Sequence, residues 1–385
     1  MTQKFDVCIR GGGVAGRTLA LLLARERLRV ALVVKAAAFD APQTETAPAD
    51  VPHEIRAYAL NDVSKRLLES LRCWPQGPAI TPVEKMQIWG DDGSQLDFTA
   101  QSAQLPALAW IVDLPALEQQ LIEAVRFQPQ IEVVQEPVKA ALQVICEGQK
   151  SISRNEFGVN WTVKAYGQKA IAARFVSSKP HLGVARQWFH NGEILALLPL
   201  SDASVGTNGN SMALVWSVSA ERADSLQKLS KNDFCEALQA SCGEIPGRLE
   251  LTTERTSWPL ALSTADHWVG PGWALAGDAA HTVHPLAGQG LNLGLADVAE
   301  LAQVIAQREY WRGLGDEKML RRYERARKAD VAAMSTVTDG LHSLFAQTDA
   351  RWQALRHWGM KSFAKSGPLK AWMIRQAAGQ QKTSS

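Results

Sequence analysis

The glycine turn near the start of the chain constrains the fold more than any other stretch. The residues GGGVAG at positions 11–16 follow an apolar run, Phe5 to Arg10, and precede a helical pattern from Thr18 to Arg27. A second apolar run, Arg29 to Val34, comes directly afterwards. A strand, a tight glycine turn, a helix and a second strand open a doubly wound parallel sheet that binds a dinucleotide. The sequence therefore predicts an α/β, Rossmann-like domain at the N-terminus.

Three glycines of this turn have separate expected roles. Gly11 permits the turn itself, Gly13 lets a pyrophosphate approach the backbone, and Gly16 lets the helix touch the strand. The helix that follows directs its free N–H groups and the positive end of its dipole at the phosphates.

A second informative stretch spans residues 273–297, WALAGDAAHTVHPLAGQGLNLGLAD. Its apolar start predicts a strand that ends at Gly277 and Asp278, in a turn whose carboxylate can accept hydrogen bonds from ligand hydroxyls. From Gly288 onward, leucines and valine recur at helical spacing. Gly288 and Gly290 leave the first N–H groups of that helix open to a bound group.

This second stretch resembles the flavin-contacting segment of the FAD-dependent aromatic monooxygenases related to para-hydroxybenzoate hydroxylase. Within that superfamily it is most similar to the ubiquinone-biosynthesis hydroxylases, and the resemblance extends from Phe5 to about Gly379. It implies that Asp278 binds the ribityl chain of FAD and that the helix beginning near Gly288 points at the pyrimidine edge of the flavin. The expected cofactor-binding residues are Gly11, Gly13, Gly16, Arg56, Gly277, Asp278, Pro285, Gly288, Gly290, Leu291 and Asn292.

Composition excludes several other classes of protein. A net charge of +2, from 41 basic and 39 acidic residues, is too balanced for a nucleic-acid binder. The five cysteines show no metal-binding spacing, so we expect no metal site and a reducing compartment. The sequence shows neither a signal peptide nor an apolar run of about 18 residues. We therefore expect a cytoplasmic protein, or one peripheral to the inner face of the membrane.

The order of the predicted elements suggests interleaved domains. We expect an FAD-binding domain from residues 1–80, 112–156 and 265–345, a substrate domain from 81–111 and 157–264, and a C-terminal helical tail, 346–385. Alternating runs at 159–163, 170–176, 194–198 and 212–217 predict a mostly antiparallel sheet in the substrate domain, and residues 83–98 predict a hairpin. The residues that either line an aromatic substrate pocket or pack in the core are Trp188, Phe189, Trp216 and Trp258.

Three residues depart from the pattern of the family. Val34 stands at the end of the second strand, where the family has an acidic residue that bonds the adenosine ribose. The absence of that acidic residue costs roughly 1.5–3 kcal/mol of binding free energy, or about one to two decades in FAD affinity. Arg10 replaces an aliphatic residue, and Glu147 replaces the aspartate of a motif that helps to seat the pyrophosphate. Since the two strands before Arg10 and Glu147 are expected to be neighbours, we predict that these two side chains form an ion pair.

The C-terminal segment, residues 351–385, has seven basic residues, no Asp or Glu, and interleaved tryptophans. This composition is typical of an interfacial helix on anionic lipid. A helix that packs its tryptophans against the rest of the protein is an equally good interpretation.

The resemblance implies an FAD-dependent monooxygenase that puts one oxygen atom of O2 into the ring of a polyprenylated phenol or quinol in ubiquinone biosynthesis. Because the sequence has one dinucleotide fingerprint, the electrons come from NAD(P)H bound transiently at the flavin or from a protein reductant. A complex with other proteins of the pathway is a further expectation. The chemistry needs no strong acid or base, so no catalytic residue is assigned, and His281 and His284 are either reactive or structural.

Two alternatives remain open at this point. One is a flavin hydroxylase of a soluble aromatic compound. The other is a degenerate, non-catalytic family member that serves as a structural subunit of a hydroxylase complex, an interpretation that Val34 and Glu147 favour and the intact 277–297 segment opposes.

Overall fold

The computed structural model describes residues 4–34, 55–91, 93–201, 209–283 and 289–346, with the backbone alone at 289 and 336–346. The strands in these ranges are β1 (Phe5–Arg10), β2 (Val30–Val33), β3 (Ala57–Leu60), β4 (Ile80–Val83), β5 (Lys85–Trp89), β6 (Gln95–Thr99), β7 (Ala109–Asp113), β8 (Ile131–Val134), β9 (Ala140–Ile145), β10 (Trp161–Ser177), β11 (Val184–His190), β12 (Glu193–Leu200), β13 (Ser211–Ser219), β14 (Leu249–Leu251), β15 (Thr256–Ala265), β16 (Val269–Gly270), β17 (Trp273–Leu275) and β18 (His281–Thr282). The helices are α1 (Val14–Arg25), α2 (Asp62–Ser70), α3 (Leu114–Arg126), α4 (Ala220–Lys228), α5 (Lys231–Cys242), α6 (Gln289–Ala306) and α7 (Glu317–Ala346).

The first sheet is the predicted Rossmann-like one. Its strand order is β16-β17-β9-β1-β2-β8, and every neighbouring pair is parallel except β16 with β17. All four residues of β2 are buried, as expected for a parallel sheet covered on both faces. Helix α1 packs against β1, β2, α3 and α6. The prediction that β1 lies beside β9 is confirmed, since Arg10 is in register with Ile145.

The second sheet is the predicted antiparallel one, with the order β18-β15-β10-β13-β12-β11-β5-β6 and with β14 paired to β10. Only β11 and β5 pair in parallel along this order. The predicted run at 170–176 and residues 161–163 of the run at 159–163 belong to one long strand, β10. A β-bulge between Ala165 and Lys169, with Gly167 at φ +70°, interrupts the alternation of side chains without ending the strand. The predicted hairpin is present as β5 and β6.

A third sheet, β3-β7-β4, was not predicted. Strands β4 and β7 contact β12 of the second sheet, and β3 contacts α6, which packs on the first. The three-stranded sheet therefore connects the parallel and antiparallel parts of the molecule.

The helices complete the two main cores. One core surrounds the parallel sheet with α1, α3, α6 and α7, and the other lies between the antiparallel sheet and helices α4 and α5. Helix α1 begins four residues earlier than predicted, directly after Gly13. The tail at 347–385, including the basic segment, lies outside the described residues. Within the described part of the chain, no helix is both long and apolar enough to cross a membrane.

Candidate active site

The glycine turn lies at the carboxyl end of β1. Gly11 has φ +119°, and a Cβ atom there would stand 2.4 Å from the carbonyl oxygen of Cys146. A Cβ atom at Gly16 would stand 1.9 Å from the carbonyl oxygen of Gly11. Both positions therefore require glycine. Gly13 has no neighbour within 4 Å of its Cβ position, and it precedes α1 without a side chain to cap that helix. The first N–H groups of α1 are thus left for a bound anion.

A cleft opens between this turn and α6, with about 1020 Å³ of space that includes its opening to solvent. Gly16 holds α1 against the turn behind the cleft, and Asn292 is not part of its wall. Pro285 and Gly288 lie outside the described residues. The predicted residues that line the cleft are Gly11, Gly13, Arg56, Gly277, Asp278, Gly290 and Leu291. The structure thus brings most of the predicted cofactor residues together.

Asp278 occupies a single 3-10 turn, Gly277–Ala279, at the end of β17. Gly277 has φ +64°, the left-handed conformation that glycine adopts most readily. The Asp278 carboxylate is exposed inside the cleft and makes no hydrogen bond to a described residue. Desolvation by the walls of the cleft raises the pKa of Asp278; His281 and Arg56 lower this pKa, and the negative charge of Asp297 raises it further. This carboxylate is therefore free to accept hydrogen bonds from ligand hydroxyls.

Asp297 on α6 supports the turn from behind and is fully buried. Its Oδ2 accepts the Gly277 N–H at 3.0 Å and lies 2.6 Å from Nε2 of His281, and its Oδ1 accepts Nε of Arg327 at 2.8 Å. Burial opposes ionisation, but His281 and Arg327 hold the pKa of Asp297 below its ordinary value. His281 is buried and stacked on Trp268, an arrangement that favours the structural interpretation of this residue. His284 lies outside the described residues.

Asn292 ties α6 to the three-stranded sheet. Its Oδ1 accepts hydrogen bonds from the Asn61 N–H at 2.9 Å and from Oγ of Ser64 at 2.7 Å, and its Nδ2 donates to the Ala59 carbonyl at 2.8 Å. The side-chain amide is thus engaged with β3 and α2. Asn292 positions the cleft wall instead of presenting its amide to the cleft.

A second, mostly apolar cavity lies between the antiparallel and three-stranded sheets, with about 1070 Å³ of space that includes its opening to solvent. Its floor on the antiparallel sheet is made largely of small side chains, including Ala172, Ala196 and Ala213. Arg56 and Tyr58 border both this cavity and the cleft, and Nη1 of Arg56 donates to the Tyr58 hydroxyl at 3.1 Å. The two spaces therefore meet at β3. Sequence reasoning missed Tyr58, although it alternates with Arg56 on the same strand face.

The aromatic residues proposed for a pocket divide between the two interpretations. Trp188 stacks on Trp89 with the ring centroids 4.8 Å apart, and Trp216 is fully buried in the same core. Phe189 belongs to a small core cluster. Trp258 is the one that borders the apolar cavity.

Comparison with known proteins identifies the family. Residues 117–338, more than half of the chain, match the family described as "FAD binding domain". The chain belongs to this family of FAD-binding proteins.

Named relatives cover nearly the whole chain. It is 29% identical to ubiquinone hydroxylase UbiL of Rhodospirillum rubrum, over 97% of this chain and 89% of that protein. It is also 29% identical to the 3-demethoxyubiquinol 3-hydroxylase of Escherichia coli, over 98% of this chain and 99% of that one. The solved structure of PqsL, a probable FAD-dependent monooxygenase from Pseudomonas aeruginosa, matches with a TM-score of 0.74 at 20% identity, covering 93% of this chain and 99% of that one. At that identity the structural match shows the fold alone.

The cleft fits FAD. The cradle at Gly11 and Gly16, which a Cβ atom would fill, and the open position at Gly13 suit the pyrophosphate. The available carboxylate of Asp278 suits the ribityl hydroxyls. One part fits less well: Val34 at the end of β2 is buried, and its side chain fills the space next to Gly12 where the family has an acidic residue.

The predicted ion pair between Arg10 and Glu147 is wrong. Nη1 of Arg10 donates to Glu156 at 2.5 Å, and its Nε donates to Gln143 at 3.2 Å. The Glu147 carboxylate instead accepts from Oγ of Ser151 at 2.6 Å and from Oγ of Ser153 at 2.9 Å.

The reason is the loop after β9. Gly148, at φ +78°, turns the chain back so that the loop serines reach Glu147, and a 3-10 helix at Ser153–Phe157 brings Glu156 to Arg10. Ser153 touches both groups, since Nη1 of Arg10 also donates to its Oγ at 3.3 Å. Arg154 connects this loop to the Asp278 turn, because its Nη1 donates to the Ala279 carbonyl at 3.1 Å.

Proposed function

We propose that this protein is an FAD-dependent monooxygenase that hydroxylates the ring of a prenylated phenol or quinol in ubiquinone biosynthesis. The observation that carries the proposal is the junction at Arg56 and Tyr58, where a dinucleotide cleft meets a large apolar cavity. A cavity of this kind suits an apolar aromatic substrate placed against a cofactor. The names of the relatives, ubiquinone hydroxylase and 3-demethoxyubiquinol 3-hydroxylase, support this substrate class.

The residues of this chain bind and orient the cofactor and the substrate, and they exclude water. The start of α1 and the glycine turn hold the pyrophosphate of FAD, and the Asp278 carboxylate accepts hydrogen bonds from the ribityl hydroxyls. The start of α6 at Gly290 and Leu291 borders the same cleft. FAD, when bound, would supply the activation of O2 with two electrons from NAD(P)H or a protein reductant, so that one oxygen atom would enter the substrate ring and the other would leave as water. The apolar lining of the cavity keeps water from the reacting groups.

The remaining expectations are part of the same proposal. The FAD-binding domain comprises 1–80, 112–156 and 265–345, and the substrate domain comprises 81–111 and 157–264, so that the three-stranded sheet contains strands from both. The protein is cytoplasmic, and its residues 351–385 contact the inner face of the membrane. The prenylated substrate resides in that membrane. It works in a complex with other proteins of the pathway.

The test is a visible absorption spectrum followed by a turnover assay. Purified protein reconstituted with FAD is expected to show flavin absorbance and, with NAD(P)H, O2 and a short-chain 2-prenylphenol, to form a product heavier by one oxygen atom. A colourless protein that cannot be reconstituted would refute the proposal in favour of the structural-subunit alternative, which Val34 supports. Hydroxylation of unprenylated phenols alone would favour the alternative of a soluble aromatic substrate.

A further inference from the structure

The floor of the apolar cavity carries two polar side chains that the cofactor does not require. Gln187 on β11 is 8% exposed, Ser217 on β13 is 3% exposed, and both border the cavity. Neither side chain hydrogen-bonds to another residue in the described part of the chain. Polar groups inside native proteins usually have a hydrogen-bond partner, and these two side chains face the cavity. A ligand in the cavity would supply it.

The sheet register places these two groups on the same face. Gln187 is paired with Ala196, which is paired with Val215, and Ser217 is two residues further along β13. Residues two apart on a strand point to the same face, so Gln187 and Ser217 both rise from the alanine floor. They lie two strands apart, roughly 10 Å across the sheet, and are offset by two residues, roughly 7 Å along it. An aromatic ring with oxygen substituents fits between them.

The charges around the floor also narrow the choice of ligand. Arg186 precedes Gln187 on β11 and also borders the cavity. Its side chain, however, points to the opposite face of the sheet, the face of Leu197 and Trp188, which is covered by helices. Burial lowers the pKa of Arg186, and its Nε and Nη1 have no hydrogen-bond partner among the described residues. Arg56 stands at the junction with the cleft, where it donates to Tyr58. The described side chains that rise from the floor thus offer neutral hydrogen-bonding groups and no cation.

We infer that Gln187 and Ser217 are specificity-determining residues that bind the ring oxygens of a neutral aromatic substrate, a phenol or its alkyl ether without a carboxylate. An amide and a hydroxyl can each donate and accept, so both match hydroxyl and alkoxy groups. An ionised carboxylate placed between Gln187 and Ser217 would find no counter-charge among the side chains that rise from the floor, which is costly in an apolar environment. The inference rests on the proposed function and defines its substrate more closely.

The experiment measures binding separately from turnover. Equilibrium dialysis with the FAD-loaded, oxidised protein gives the Kd of 2-prenylphenol and of its carboxylated counterpart, 3-prenyl-4-hydroxybenzoate. We expect Gln187→Leu and Ser217→Ala each to raise the Kd of the phenol about fivefold, and we expect wild type to bind the acid about tenfold more weakly than the phenol. The matched controls are Gln87→Leu, on the neighbouring strand and in register with Arg186, and Ser211→Ala, on β13 outside the cavity. Both controls should leave the Kd unchanged.

Several results would overturn the assignment. Equal Kd values for wild type, Gln187→Leu and Ser217→Ala would do so, as would wild-type protein that does not bind the phenol. Tighter binding of the acid, lost in Arg186→Gln, would move the recognition site to Arg186. If the Kd values change as expected but no oxygenated product forms with NAD(P)H and O2, the two residues keep their assignment and the proposed function fails.

Discussion

Replacing Asp297 by alanine should destabilise the protein more than any other single change around the Asp278 turn. The substitution leaves the Arg327 guanidinium, 7% exposed, and the buried His281 without their shared acceptor, and it frees the Gly277 N–H. Removing one partner of a buried ion pair costs about 3–5 kcal/mol, because the remaining charge is left uncompensated. Arg327 keeps Asp330, but that carboxylate is 54% exposed and can replace little of the lost interaction.

Urea unfolding of wild type and Asp297→Ala, both without FAD, measures this loss. Asp266→Ala is the matched control, since Asp266 accepts hydrogen bonds from Asn160 and His267 at the surface and its loss should cost about 1 kcal/mol or less. In Asp297→Asn the shape is kept and the charge removed. The double variant Asp297→Asn with Arg327→Met should recover part of the loss, because no unpaired guanidinium remains.

The pH dependence provides a second check. The pKa of Asp297 is lowered in the folded protein, so its contribution is fully present above the ordinary aspartate pKa of about 4 and is lost as the pH falls through the lowered value. The difference in unfolding free energy between wild type and Asp297→Asn should therefore shrink below about pH 4. A loss of less than about 1 kcal/mol in Asp297→Ala at pH 7 would refute the reasoning.

Three further predictions concern the cofactor and the tail. Asp278→Ala should fail to retain FAD on gel filtration, because the ribityl hydroxyls lose their acceptor; a variant that copurifies with the same amount of FAD as wild type would show that the residue is misassigned. Val34→Glu, which restores an acidic residue at the end of β2, should tighten FAD binding by about one to two decades in a fluorescence titration, and Val34→Gln, which has the size of glutamate without its charge, is the control that should tighten binding less. Deleting 351–385 should weaken flotation with anionic liposomes and reduce the sensitivity of that binding to salt; unchanged flotation would leave this segment a packing role only.

The elements with strong local signals were predictable from the sequence. The glycine turn, the strands on either side of α1 and the Gly277-Asp278 turn each depend on residues close together in the chain, and the structure has them where the pattern puts them. The three-stranded sheet was missed because β3 has the sequence Ala-Tyr-Ala-Leu, which has no clear alternation, and because its partner β7 lies about fifty residues away.

The error at Arg10 has a similar origin. The sequence correctly indicated that β1 and β9 are neighbours, but the partner of a long side chain depends on the path of the loop that follows the strand. Gly148 and the serines at 151 and 153 decided that path, and none of them has a periodic signal. Likewise, Asn292 matched the family segment by position, while its hydrogen bonds to β3 and α2 could be found only from the three-dimensional arrangement.

The hydrogen bonds of Asn292 connect the wall of the cofactor cleft to the wall of the apolar cavity. Helix α6 forms one wall of the cleft, and the strand that carries Tyr58 separates the cleft from the cavity. For that strand to slide along the helix, the contacts of Asn292 with Ala59, Asn61 and Ser64 must all break together. Any shift of the helix would therefore also move the wall that a ring in the cavity would touch. If α6 shifts on cofactor binding, we expect the affinity for the substrate to depend on whether the cofactor is already bound.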